Sequence, residues 1–169
     1  MGRVSTTNFT LMGNYGITHR LNVLFGLPYI KTKASAGNMA GQKGVQDLSL
    51  LLKWVAYQKH IAGGDLKTFL IAGYSTPLSS YNADFLPLSI GLHSRNVTMR
   101  LMADYQRNHW FATASYTYIA RSNVTIDRST YYTTEMHYSN EVKMPDASQW
   151  NLRAGYRSET IIAEAIFNK

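Results

Sequence analysis

An alternation of apolar and polar residues with period two, recurring in eight stretches, constrains this chain more than any other feature. Successive side chains of a strand point to opposite faces, so this pattern specifies strands with one apolar face. Phe9, Leu11, Gly13, Tyr15 and Ile17 alternate with Asn8, Thr10, Met12, Asn14 and Gly16. Leu21, Val23, Phe25, Leu27 and Tyr29 follow, then Leu48, Leu50, Leu52 and Trp54, then a less regular stretch from Leu66 to Ser75. Val97 to Tyr105 is the clearest, with Asn96, Thr98, Arg100, Met102, Asp104 and Gln106 on its other face. Trp110 to Tyr118, Trp150 to Tyr156 and Ile161 to Phe167 complete the set. Leu48, Leu51, Leu52 and Val55 also fit a helical stripe with Asp47 as N-cap. All the neighbouring stretches read as strands, so a strand is expected here too.

The connections alternate in length. Thr18–Arg20, Arg107–His109 and Ser158–Glu159 are short, and Lys59–Asp65 is moderate with Gly63-Gly64-Asp65 in it. Ala34–Gly44, Thr76–Arg95 and Ser122–Ser148 are long. Short turns on one side and long loops on the other are the pattern of an outer-membrane barrel. The aromatics support the same reading. Tyr15, Trp54, Tyr105, Trp110 and Tyr156 lie on apolar faces near the short-turn end. Tyr29, Tyr74, Tyr118, Trp150 and Phe167 lie on apolar faces near the long-loop end. Two such girdles are expected where rings sit at the headgroup level. Tyr57 falls on the wrong parity, and Tyr116 lies one step deeper than the rim.

The expected fold is therefore all-β: an antiparallel up-and-down transmembrane β-barrel with about eight strands, forming one domain over residues 1–169. Asp47, Lys53, Arg100, Asp104, Arg153 and Glu164 all fall opposite the apolar face. On this reading they line the lumen, where a charge costs little. A charge facing lipid at mid-bilayer would cost about 2–4 kcal/mol. Arg100 and Asp104 stand about 13 Å apart along one strand. They are expected to pair with neighbours on adjacent strands such as Asp47, Lys53 or Arg153, which fills and stiffens a narrow lumen; the alternative is a polar lining that sets what passes. The competing form is a soluble half-exposed sheet. It explains the one-sided charges, but not the girdles or the loop alternation.

Only 16% of the residues are charged and 45% are hydrophobic, against roughly 25% charged in a typical soluble domain. The net charge is +7, yet Lys and Arg are scattered singly, which argues against nucleic acid as a partner. Cysteine is absent, so disulfides and thiolate metal sites are excluded. No apolar run reaches the ~18 residues of a membrane-spanning helix. Met1 to Thr7 has no apolar core of the kind an export signal carries.

The stretch Tyr15-Gly16-Ile17-Thr18-His19-Arg20-Leu21, then Leu27-Pro28-Tyr29, then Gly44-Val45-Gln46-Asp47-Leu48-Ser49 resembles a family of Gram-negative outer-membrane barrels. These are known as transporters or phenol meta-pathway degradation proteins and lie near the long-chain fatty-acid transporter group. Gln46 stands where that family favours a second glycine. The resemblance covers about residues 10 to 120. It implies a barrel and a role with small hydrophobic molecules, and brings no catalytic motif.

No enzyme motif emerges from the residues. His19, His60, His93, His109 and His137 include no pair at i, i+4 and no His-Glu-x-x-His, so no metal or other cofactor is expected. Ser79, Asp84, His93 and Ser94 share one long loop, but sharing a loop does not make a triad. Asn8, Asn96 and Asn123 each begin an Asn-x-Thr triplet, the first two within strands, where chance explains them better than glycosylation.

The expected function is an outer-membrane channel or transporter for small hydrophobic molecules, in contact with outer-membrane lipid. The alternatives are a non-transporting barrel acting as anchor or assembly component, and a soluble lipocalin-like binder with its aromatics inside. Barrels of this kind keep both termini on the periplasmic side. Here the first strand runs downward and the eighth ends outside, so further strands, ten to twelve in all, are expected.

Overall fold

The computed structural model describes residues 3–36, 40–85 and 87–169. Parts of the expected Ala34–Gly44 and Thr76–Arg95 loops lie outside them. The alternating stretches form eight long strands: β1 (Val4–Gly16), β2 (Leu21–Ala34), β3 (Asp47–Ile61), β4 (Gly64–Pro77), β5 (Asn96–Arg107), β6 (Trp110–Arg121), β7 (Ala147–Arg157) and β8 (Ile162–Asn168). Each pairs antiparallel with the next in sequence, giving one meander in the order β1 to β8. A short strand, Lys43–Val45, adds to the upper part of β2. The segment Leu48 to Val55 is strand and not helix, because a helix there would leave the ladders of both β2 and β4 unpaired. Most strands run one to five residues beyond the alternating stretches. Backbone pairing continues past the last apolar position.

Among the described residues β1 and β8 do not pair, so the sheet is open and has two edges. The eight strands by themselves do not close into a barrel. The strands are nevertheless staggered. Leu21, the first residue of β2, stands opposite Trp54, seven residues from the end of β3 at Ile61. A sheet that curls toward a barrel needs such an offset.

Two details correct the sequence reading. Lys59–Asp65 is not a moderate loop: β3 and β4 are joined by Ala62 and Gly63 alone, at φ 53° and 76°. A two-residue hairpin turn with both central residues at positive φ matches the strand twist. In addition, Ala56 is an extra residue in β3, so Val55 pairs with Phe69 and Tyr57 with Thr68. This bulge reverses the parity and brings Tyr57 back onto the apolar face, removing the exception.

Among the described residues no second layer covers the apolar face. Phe9 is 70% exposed, and Leu11, Leu50, Leu101 and Leu152 are also exposed. The opposite face is the more enclosed one. Thr117 is only 3% exposed, and Ser115 and Phe111 are buried. Most of the remaining core lies where the long loops fold together, at Ala83, Leu88, Ile90 and Val124.

Candidate functional site

The register arranges the polar face in transverse rows. Ser49, Ser75, Asn96 and Arg121 are paired in turn across β3 to β6, nearest the long loops. Further down, Lys53, Ile71, Arg100, Thr117 and Gln149 form a second row. A third contains Gln58, Lys67, Asp104, Thr113 and Arg153. Of the six charges expected on this face, Lys53, Arg100, Asp104 and Arg153 lie within the inner strands, Glu164 lies on the edge strand β8, and Asp47 stands at the loop end of β3.

Their partners differ from the expectation. Arg100 Nε donates to Thr117 Oγ1 at 2.8 Å, and Thr113 Oγ1 donates to Asp104 at 2.6 Å. Cross-strand hydroxyls, not opposite charges, satisfy this pair. Lys53 Nζ sits 4.5 Å from the centroid of the Phe69 ring, a cation–π contact that holds the ammonium without neutralising it. Arg153 alone meets a carboxylate, Glu164 on the adjacent strand, at 3.5 Å. Asp47 accepts a hydrogen bond from Tyr81 at 2.5 Å.

Tyr81 belongs to the loop between β4 and β5, which folds back against the polar face. Its hydroxyl also accepts from the His93 backbone N–H at 2.9 Å, and its ring meets His93 edge-on at 5.0 Å. Burial, reinforced by the bond to Asp47, pushes the Tyr81 phenol above its ordinary pKa. Thr32 Oγ1, on the polar face of β2, donates to the Leu88 carbonyl at 2.7 Å and draws the loop inward. Gly91 permits the close approach: a Cβ there would lie 2.6 Å from the Tyr81 hydroxyl and 2.9 Å from Gln46 Nε2. Beneath this loop is a cavity of about 290 Å³ lined by Gln46, Asp47, Ser94, Asn96, Thr98 and Arg121, among others. The loop between β6 and β7 closes over the loop between β4 and β5 through Arg128 and Asp84, an ion pair at 2.6 Å.

The aromatics expected at the girdles lie on the apolar face. At the short-turn end Trp110 and Tyr156 pack edge-on at 5.3 Å, and Tyr105 donates to the Ile61 carbonyl at 3.2 Å. Tyr15 stands opposite Val23 on the same face. Trp54 lies farther inside β3, in a row with Leu70, Leu101, Tyr116 and Trp150, and Tyr57 lies closer to the turn. Toward the loops are Tyr29, Tyr74 and Tyr118, the last donating to Asp146 at 2.5 Å. Basic residues reach the apolar face only at the strand ends. Lys31 and Lys33 lie beyond Tyr29, Lys59 beyond Tyr57, and Arg107 beyond Tyr105.

Three of the loop residues that could suggest a triad are bonded to other partners. Asp84 is bound to Arg128, Ser79 donates to the Val45 carbonyl, and Ser94 donates to Asn96. No group of three or more potential metal ligands occurs among the described residues. No helix among them is long and apolar enough to cross a membrane, which leaves strands open as the crossing element. Sequence reasoning missed Tyr81, Lys67 and Arg121. Arg121 continues the β6 alternation three residues past Tyr118, so its parity was available, while Tyr81 sits in aperiodic loop and left no signal.

Comparison of the chain with protein-family models, curated proteins and solved structures finds no match. The likeness to outer-membrane transporters rests on the quoted motifs alone.

Proposed function

We propose that this sheet is the transmembrane wall of an outer-membrane β-barrel channel, with the apolar face toward lipid and the polar face toward a water-filled path for small solutes. The observation that carries the reading is the exposure of a broad apolar face whose charges are confined to its margins, beyond the aromatics. In water such a face would be a large uncovered patch. In a bilayer it is satisfied by lipid, and the marginal Lys and Arg residues reach the headgroups. The dimensions agree. From Leu66 to Tyr74 is roughly 27 Å by strand rise, or about 20 Å of height at a tilt near 40°, against an apolar band of about 25 Å.

The inward-folded loop between β4 and β5 favours a second reading, a non-transporting barrel whose lumen is filled and which serves as an anchor. A lipocalin-like binder fits less well, because it needs the apolar face enclosed, and here that face is the exposed one.

The three tryptophans supply the test, since Trp54, Trp110 and Trp150 all lie on the apolar face and are 47%, 66% and 53% exposed. In vesicles, brominated acyl chains are expected to quench their fluorescence strongly and aqueous iodide weakly. The reverse pattern removes the membrane reading. Ion conductance in planar bilayers then separates channel from anchor.

A further inference from the structure

We propose that the polar face selects small anions, carboxylates in particular, and that Lys53, Arg100 and Arg121 are the side chains that carry them. The inference rests on the channel reading and narrows its solute class. Four acidic residues lie on this face, and each is met locally. Asp47 accepts from Tyr81, Asp104 from Thr113, Asp65 from His60 at 3.0 Å, and Glu164 from Arg153. Of these four only Glu164 meets a permanent cation, and Lys53, Lys67, Arg100, Arg121, Arg153 and Arg157 on the same face outnumber them. Among the described residues the side chains of Lys53, Arg100 and Arg121 form no ion pair, and the Asp146 carboxylate near Arg121 is bound to the Arg121 backbone N–H at 3.1 Å. Thr117 and the Phe69 ring position two of them and leave their charge in place.

The register sets the three along a path. Lys53 and Arg100 flank Ile71 in one row, two strands apart, so their backbones are roughly 10 Å from each other. Long flexible side chains across that gap can close on one small anion. Arg121 stands opposite Asn96, four residues toward the loops from Arg100, or about 13 Å along the strand. It lines the cavity of about 290 Å³ under the inward loop, together with Ser94, Asn96, Thr98 and the Asp47 carboxylate that Tyr81 holds. A guanidinium fork beside hydroxyl and amide donors suits a planar carboxylate. Two stations of modest strength, one at the mouth and one midway, let an anion enter and leave, which conduction requires.

The test is the reversal potential of the protein in planar bilayers under a potassium chloride gradient, repeated with potassium acetate. The expected result is a severalfold preference for chloride and for acetate over potassium. Replacing Lys53, Arg100 and Arg121 together by Gln should bring the preference to unity or invert it. Lys33→Gln, at the margin of the apolar face, should leave it unchanged. A cation preference in the unmodified protein overturns the proposal while keeping the channel. So does a triple variant that folds, by its circular dichroism, and retains the anion preference. No conductance from the unmodified protein overturns the channel reading and this inference with it.

Discussion

Tyr81 shows how a single side chain ties loop to wall. It donates to Asp47 and accepts from the His93 backbone. Its phenol is raised above the ordinary value of about 10. A group whose folded pKa is raised contributes stability below its unfolded pKa and loses it as pH rises through the folded one. The contribution of Tyr81 should therefore be intact near neutrality and decline in strong alkali. In a spectrophotometric titration, the difference between the protein and Tyr81→Phe should be one phenol ionising well above 10. An ordinary midpoint would contradict the geometry. Tyr81→Phe should also cost about 1 kcal/mol in thermal unfolding by leaving Asp47 short of a donor. At this scale the sequence was legible for facing but not for partnership. Parity placed Arg100 and Asp104 on the polar face, because parity is local. Which residues they meet depends on register, and register brought Thr117 and Thr113 opposite them instead of a counter-charge.

At the level of the strand, the bulge in β3 yields the clearest prediction. Trp54 faces outward and Val55 inward, and Tyr57 resumes outward because Ala56 is accommodated as an extra residue. Deleting Ala56 leaves Tyr57 outward and Gln58 inward, so the strand becomes regular and should still fold. Deleting Leu51 instead slips one half of the strand by a residue and exchanges its faces. Lys53 then points to the apolar side at a cost of about 2–4 kcal/mol in lipid. Heat-dependent gel mobility of the folded form should show the Ala56 deletion folding and the Leu51 deletion failing. The neighbouring turn gives a second check. Ala62 holds φ 53°, a left-handed conformation that costs a residue with a Cβ about 1 kcal/mol and glycine almost nothing. Ala62→Gly should raise the unfolding free energy obtained from denaturant titration by roughly that amount. All eight strands were legible because each carries several turns of alternation. The bulge was not, since one added residue looks in sequence like an aromatic of the wrong parity, and only the β4 partner shows otherwise.

For the whole molecule the deciding issue is whether its apolar face has a depth axis. A soluble sheet packed on some other surface would tolerate a charge according to local crowding alone. A wall in a bilayer tolerates it by distance from the midplane, at about 2–4 kcal/mol for arginine in the centre and about 0–1 kcal/mol near the interfaces. Strand β5 offers a ladder for the measurement, because Val97, Met99, Leu101, Ala103 and Tyr105 face outward in succession between the two margins. Arginine placed singly along it should give a cost that peaks at Leu101 and falls toward Val97 and Tyr105. Urea titration of folding into lipid vesicles reads that cost directly. Thr98→Arg, one residue away on the polar face, should be mild, since its charge meets water. The exposures at Val97, Met99 and Leu101 are similar, at 48%, 57% and 52%, so local crowding predicts a flat profile over these positions. A flat profile, or a Thr98→Arg cost equal to that of Leu101→Arg, would mean that this face has no lipid side. A peak at Leu101 requires one.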